Sequence, residues 1–289
     1  MSFTNKNLGD KPSLVKPIAI LVVVLLVIGG VYTFFSDNNS KEESQASEDS
    51  SMEELLKVKS SGLDPDERVK TVADVEKVIA KWVENNPGAV IQAISNMQKV
   101  AMEEQRKNAQ KNIGTKTDEL FNDKNSPEYA PEGYDVTLVE FFDYSCGYCK
   151  KANSTIEELI DKDNKVRIIY KEFPILGEPS HEMARVAIAV NMIKPSAYRQ
   201  FHNNLMKSSS RGTDAAISAA VLAGVNKSTL KSTLKNQSSE IEEIIGANLA
   251  LGQAIGVSGT PGFVIGEELI PGALGIEAFE AKIAQQRAK

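Results

Sequence analysis

The two cysteines of the chain, Cys146 and Cys149, are separated by only two residues. They follow the apolar run 137–142, which predicts a β-strand, and they precede residues 149–162, whose composition predicts a helix. At this spacing the two sulfurs can meet across the first helical turn, so a disulfide can form and break without refolding of the chain. The pair therefore predicts a strand followed directly by a helix that begins at two reactive thiols.

The position of the pair at a helix start predicts its chemistry. The first turn of a helix has unpaired N–H groups and the positive end of the helix dipole, and both favour a thiolate. Cys146 is therefore the predicted nucleophile and leaving group in thiol–disulfide exchange. Cys149, one turn further along, is the predicted resolving thiol that attacks a mixed disulfide formed at Cys146.

Other roles for a cysteine pair fit this sequence less well. A zinc site needs two further ligands, but there is no second cysteine pair, and His181 and His202 are too far apart for finger spacing. Covalent haem attachment needs a histidine directly after the second cysteine, where the chain has Lys150. We therefore expect no metal and no cofactor. An inert structural disulfide stays open, although so short a loop would stabilise the fold only weakly.

The N-terminal region contains an uncharged apolar segment at residues 18–35. As a helix it would span roughly 27 Å, close to the thickness of a bilayer core. Lys6, Lys11 and Lys16 precede it and acidic residues follow it, so the positive-inside rule predicts a cytoplasmic tail at 1–17. We expect a single-pass inner-membrane protein whose remaining chain faces the periplasm or another oxidising extracytoplasmic space. A cleaved signal peptide is the competing interpretation.

Composition limits the rest of the chain. Residues 36–63 are rich in Ser, Glu, Asp and Asn and lack aromatic residues, which predicts a flexible acidic linker. The whole chain has 33 Lys and Arg against 39 Asp and Glu, a net charge of −6. We therefore expect no nucleic-acid partner, because nothing provides the basic surface that such binding needs.

Residues 64–125 predict a helical hairpin, or arm. Thr71 and Asp74 have the spacing of a capping box, and apolar residues recur at helical spacing on both sides of Pro87. The two stripes contain Val75, Ile79, Trp82, Val90, Ile94 and Met97. Two such helices cannot bury their stripes alone, so they pack either on the rest of the chain or on another copy in a homo-oligomer.

The remaining pattern predicts an α/β fold. Strand signals at 137–142 and 166–170 flank the helix that follows the cysteines, and nearly every window from 179 to 256 is helical. A tight hairpin around Gly266 and an amphipathic helix at 276–287 end the chain.

Two segments resemble the DsbA family of thioredoxin-fold thiol:disulfide oxidoreductases: VEFFDYSCGYCK at 139–150 and TPGFV at 260–264. The resemblance covers about residues 134–289. It implies a catalytic domain at 126–289 with the thioredoxin fold and an inserted all-helical subdomain at about 175–256. The transmembrane helix and the helical arm predicted above would precede this domain. It also implies that Pro261 is a cis-proline and that Thr260 and Pro261 bind the substrate chain.

The resemblance further implies residues that tune the redox chemistry. Glu140, six residues before Cys146, matches a charged family position that influences proton transfer at the cysteines. We expect it to be buried and paired with Lys171 on the neighbouring strand; the alternative is a strand-end glutamate that faces water. Gly147 and Tyr148 replace the Pro-His dipeptide of the best-known members, and they are expected to tune the reduction potential of the cysteine pair.

Together these features predict a membrane-anchored dithiol oxidase. It would donate the Cys146–Cys149 disulfide to thiols of unfolded exported proteins. The resemblance implies reoxidation by a quinone-linked membrane oxidase of the DsbB type. Two alternatives stay open: a disulfide isomerase or reductase of the same fold, and a membrane-anchored binding or scaffold protein with a structural disulfide.

Overall fold

The computed structural model describes residues 71–289. The predicted tail, the anchor at 18–35 and the linker at 36–63 lie outside the described residues, as does the beginning of the arm. Every helix within residues 71–289 is too short or too polar to cross a bilayer.

The described residues divide into two units, which meet in the sequence between Ser95 and Asn96. In the first unit, the described residues form helix α1, Val72–Asn85, and the beginning of helix α2, Pro87–Thr115. Thr71 caps α1: its hydroxyl oxygen accepts a hydrogen bond from the Asp74 N–H at 3.2 Å, and the Asp74 carboxylate accepts one from the Thr71 N–H at 3.0 Å. The predicted capping box and the helix start at Pro87 are therefore confirmed.

The second unit contains the end of α2, eight further α-helices and a five-stranded sheet. In chain order these elements are α3 (Thr117–Phe121), β1 (Glu128–Tyr129), β2 (Val136–Phe142), α4 (Gly147–Lys162), β3 (Val166–Glu172), α5 (Glu178–Ile193), α6 (Tyr198–Lys207), α7 (Thr213–Leu222), α8 (Lys227–Asn236), α9 (Ser238–Ile255), β4 (Gly262–Ile265), β5 (Glu268–Pro271) and α10 (Ile276–Arg287).

The sheet has the order β1-β3-β2-β4-β5. Strands β2 and β3 are parallel and are joined through α4, while β4 and β5 form the predicted antiparallel hairpin beside β2. Helices α5 to α9 lie between β3 and β4 in the sequence and form the predicted helical insertion. This is a thioredoxin-like α/β fold.

Alternation along the central strand β2 creates two cores, because successive side chains point to opposite faces of a sheet. Leu138 and Phe142 pack on one face with α4, α10 and the insertion helices. Val139 and Phe141 pack on the other face, where α2, α3 and α9 contribute apolar residues. Both faces of the sheet are thereby shielded from water.

The segment predicted as the end of the arm contributes to the second core. Ile113 of α2 and Leu120 of α3 are buried there. The expected domain start at residue 126 therefore falls inside the second unit. The sequence pattern did not indicate α3 or the two-residue strand β1, because both are too short to show a hydrophobic period.

Gly252 in α9 allows the helix to approach the sheet closely, and we predict that Gly252→Ala destabilises the protein. A Cβ atom at this position would lie 2.4 Å from Cε2 of Phe173, a buried ring packed edge-on against Phe141. Such overpacking costs about 1–3 kcal/mol. Gly246 of the same helix is the control, since nothing lies within 4 Å of its Cβ position. Gly246→Ala should be neutral or stabilise by up to about 1 kcal/mol. Urea unfolding of both variants tests this, and equal effects would contradict the close contact.

Candidate active site

Cys146 is the N-cap residue of α4, and its backbone is extended, with φ −78° and ψ 120°. Its carbonyl oxygen accepts a hydrogen bond from the Lys150 N–H at 3.2 Å, the first bond of the helix. Both cysteines are free thiols, Cys146 being 7% exposed and Cys149 fully buried. The helix begins two residues earlier than predicted, which places Cys146 at its N-terminus and Cys149 inside its first turn.

Thr260 and Pro261 lie next to Cys146, although more than 100 residues separate them from it in the sequence. The Cys146 thiol donates a hydrogen bond to the carbonyl oxygen of Thr260 at 3.2 Å. The peptide bond between Thr260 and Pro261 is cis, as the resemblance implied. The structure therefore brings the predicted nucleophile and the predicted substrate-binding residues together.

The active-site loop is held by Asp143, a residue that the sequence analysis did not select. The backbone carbonyl of Asp143 accepts a hydrogen bond from the Cys146 N–H at 3.0 Å, and its Oδ1 accepts one from the Ser145 N–H at 2.7 Å. Its Oδ2 accepts two more, from the N–H groups of Ile175 and Leu176, both at 2.9 Å. The only feature of the sequence that could have identified Asp143 is its position, as an acidic residue between a buried strand and the cysteines.

Glu140 is completely buried, as expected, and does not face water as the alternative interpretation predicted. Neither of its carboxylate oxygens has a hydrogen-bond partner among residues 71–289. Burial therefore raises the pKa of Glu140 to about 8. Burial also raises the pKa of the Cys149 thiol, and a negative charge on Glu140 raises it further.

The predicted pairing of Glu140 with Lys171 is wrong. Glu140 lies opposite Tyr170 in the parallel ladder, and Lys171 lies opposite Phe141, so the two charged side chains point to opposite faces of the sheet. Lys171 instead donates hydrogen bonds to Oδ2 of Asp123 at 2.8 Å and to the carbonyl oxygen of Glu119 at 2.7 Å.

The two residues between the cysteines differ in their surroundings. Tyr148 is 66% exposed, with the Lys151 ammonium 5.8 Å from its ring centroid. Gly147 is also exposed and has open space where a side chain would be. Their influence on the redox poise stays a prediction.

The two histidines have partners other than the cysteines. Nε2 of His181 lies 3.0 Å from Oε2 of Glu242. His202 is buried in an aromatic cluster with Phe142, Tyr144, Tyr170 and Tyr198, and its Nδ1 is 3.1 Å from Oη of Tyr144. Burial lowers the pKa of His202 to about 3, so the ring is neutral at physiological pH.

We predict that Glu140→Gln stabilises the oxidised protein at pH 8 and has little effect at pH 5. The pKa of Glu140 is raised on folding from 4.5 to about 8, so the folded state retains a proton that the unfolded state loses. This contribution is complete below pH 4.5 and is lost as the pH rises to 8 and beyond, which amounts to about 5 kcal/mol at most. Glutamine has no proton to lose.

Urea unfolding at both pH values measures this difference in stability. Glu158→Gln is the control, because Glu158 is half exposed in a surface ion pair with Lys162. Its loss should change stability by less than about 1 kcal/mol at either pH. A wild-type protein and a Glu140→Gln variant with the same pH dependence would contradict the buried neutral carboxyl.

Part of the chain is similar to known proteins. Residues 137–284 match the family model of the DSBA-like thioredoxin domain. None of the curated proteins compared with the chain matches it. Among solved structures, a thioredoxin-like oxidoreductase from Silicibacter pomeroyi is 35% identical, with a TM-score of 0.55 over 60% of this chain and 98% of that one.

Two further solved structures are similar to this chain. A periplasmic thioredoxin-like protein from Salmonella enterica serovar Typhimurium is 34% identical, with a TM-score of 0.55 over 60% of this chain and 96% of that one. The thiol-disulfide exchange protein alpha-DsbA2 from Wolbachia pipientis is 28% identical, with a TM-score of 0.58 over 61% and 95%. Since the family model covers more than half of its residues, the chain belongs to the DSBA-like thioredoxin domain family.

Proposed function

We propose that the protein is a dithiol oxidase that introduces disulfides into unfolded exported proteins through Cys146 and Cys149. The observation that carries this proposal is the position of Cys146. Its sulfur lies at the N-terminus of α4, 3.2 Å from the Thr260 carbonyl oxygen, with Cys149 buried one turn behind it.

In the proposed reaction, a substrate thiolate attacks Sγ of Cys146 in the oxidised protein. The Cys146–Cys149 disulfide breaks, a mixed disulfide forms, and Cys149 leaves as a thiolate that takes up a proton. A second substrate thiolate then attacks the substrate sulfur of the mixed disulfide and releases Cys146 as a thiolate. The substrate is oxidised by two electrons and the protein is reduced by two.

The place of Cys146 at the N-cap of α4 is the observation that favours an oxidase over an isomerase or reductase in this proposal. Any interaction that stabilises a thiolate at a helix N-terminus acts only in the reduced form, because the disulfide has no thiolate. Stabilising the reduced form makes the couple more oxidising. The exposed residues Gly147 and Tyr148 would adjust the reduction potential of the cysteine pair.

Glu140 is proposed to handle the proton of Cys149. The resolving thiol is buried and its pKa is raised, so it needs a nearby base in order to ionise. Glu140 is buried too, has no partner in the described part of the chain, and interacts electrostatically with Cys149. With a pKa of about 8 it can bind and release a proton near neutral pH.

The cellular setting is also a proposal. The apolar segment at 18–35 would anchor the chain in the cytoplasmic membrane with the catalytic unit in the periplasm or an equivalent space. The Salmonella relative described as periplasmic supports this location. A quinone-linked membrane oxidase of the DsbB type would reoxidise the cysteines, and Thr260 and Pro261 would bind the substrate backbone.

Alkylation of thiols in intact cells, followed by non-reducing electrophoresis, tests the oxidase proposal. The wild-type cysteines should be mainly oxidised, because an oxidase reacts as the disulfide and is reoxidised after each reaction. Cys149→Ala should accumulate mixed disulfides with substrates, since the Cys146 thiolate can still attack a substrate disulfide but the neighbouring thiol that would release the substrate is missing. Cys146→Ala is the matched control and should accumulate none. Mainly reduced wild-type cysteines would favour an isomerase or reductase, and equal trapping by both variants would contradict the assigned nucleophile.

The arm at 64–125 is proposed to form a homo-oligomer. Val75, Ile79 and Ile94 are exposed although their spacing forms apolar stripes on α1 and α2. Exposed stripes of this kind are typical of surfaces that pack against another chain.

Light scattering on the full-length protein in detergent tests the oligomer. The wild type should be a dimer or larger, and a variant with Val75, Ile79 and Ile94 changed to serine should be a monomer. Val221→Ser with Leu222→Ser is the control, because these apolar residues are exposed on α7 in the insertion. The same mass per particle for the wild type and the arm variant would contradict the proposal.

A further inference from the structure

A cavity of about 850 Å³ lies on the side of the sheet that does not hold the cysteines. It is lined by residues of α9, by α3 with the loop after it, and by Lys171 of β3. Leu251, which also lines it, belongs to the second core, whereas Cys146 and Cys149 belong to the first. The volume is typical of sites that hold small molecules. We call this space the α9 cavity.

Asn248 places a polar side chain in the α9 cavity where packing alone favours an apolar one. Ile244, Leu251 and Ile255 share its face of α9, at spacings of three and four residues, and all three are buried. Asn248 is only 2% exposed, and its side-chain amide makes no hydrogen bond within residues 71–289. A buried amide without a partner lowers the stability of a fold. A ligand in the cavity would provide the missing partner.

The charges around the α9 cavity favour a cation. The lining contains two lysines and five acidic residues, namely Asp118, Glu119, Asp123, Glu240 and Glu243. Both lysines are already paired, Lys171 with Asp123 and Lys116 with Glu119, each at 2.8 Å. The other three carboxylates form no ion pair within the described part of the chain: Asp118 accepts from the Asn122 amide and Glu243 from the Ser239 hydroxyl. Three negative charges are therefore left without a cation.

The apolar part of the lining distinguishes between kinds of cation. Glu240 and Glu243 lie in the first two turns of α9, and Ala247, Ala250 and Ala254 follow them along the cavity. A metal ion would leave this apolar surface unused, and the described residues contain no acidic, histidine or cysteine cluster placed to hold one. An aliphatic polyamine has ammonium groups separated by methylene chains. It can therefore contact carboxylates and apolar surface at the same time.

We propose that the α9 cavity binds an aliphatic polyamine. Ammonium groups of the ligand contact Glu240 and Glu243, its methylene chain lies against the alanines of α9, and the side-chain oxygen of Asn248 accepts one of its N–H groups. The site lies on the sheet face opposite to the cysteines, so its existence does not depend on the proposed disulfide exchange.

Calorimetric titration of the full-length protein with spermidine, in a non-ionic detergent, tests the charged contacts. The wild type should bind spermidine, and Glu240→Gln with Glu243→Gln should raise the dissociation constant about fivefold or more, since two carboxylates are lost without a change in size. Glu277→Gln with Glu280→Gln is the matched control, because both residues are exposed on α10. The control should keep the wild-type dissociation constant.

Asn248→Leu tests the buried amide. This variant should also weaken spermidine binding about fivefold or more, because it removes a hydrogen bond to the ligand. Its urea midpoint without ligand should equal or exceed that of the wild type, since leucine continues the apolar stripe of α9. A lower midpoint would show that Asn248 serves the fold and would overturn its assignment to the ligand.

Three results of the titrations would overturn the polyamine site. The first is a wild type that does not bind spermidine. The second is an equal effect of the two double variants, because binding would then follow the overall charge of the protein and not the cavity. The third is equal affinity for butylamine, which has one ammonium group and cannot contact two carboxylates along the cavity.

Discussion

The parallel pairing of β2 with β3 is the constraint on which the rest of the catalytic unit depends. Two parallel strands need a crossover connection, and α4 provides it while covering one face of the sheet. Both strands are buried on both faces, so the other face needs α2, α3 and α9. Because the cysteines lie where β2 ends and α4 begins, the connection that makes the fold possible also creates the reactive site.

Burial on both faces has a consequence for the charged residues of these strands. Glu140 and Glu172 point into the core that contains the insertion helices, and burial raises the pKa of each carboxyl group. The Tyr198 hydroxyl donates to Glu172 at 2.7 Å, whereas Glu140 has no such partner within the described chain. An unpaired buried carboxyl lowers stability, which is consistent with a role in the chemistry of the adjacent thiols rather than in the fold.

Asp143 connects parts of the structure that the sequence keeps apart. It binds the active-site loop through its main chain and Oδ1, and it binds the segment after β3 through Oδ2. These hydrogen bonds join the segment after β3 to the backbone of Cys146 through one residue.

The sequence by itself determined the local features. The capping box at Thr71, the strand before the cysteines, the helical insertion, the hairpin around Gly266 and the last helix all depend on neighbouring residues, which is why their patterns predicted them. The cysteine spacing likewise predicted the reactive pair, and the resemblance identified Pro261.

Only the tertiary structure decided which distant groups meet. Strand register sets the face of the sheet to which Lys171 points, and that face determines its partner, Asp123. A shift of one residue in register would turn the side chain to the opposite face. The contacts of Asp143 with Ile175 and Leu176 join residues more than 30 positions apart, so no local pattern contains them.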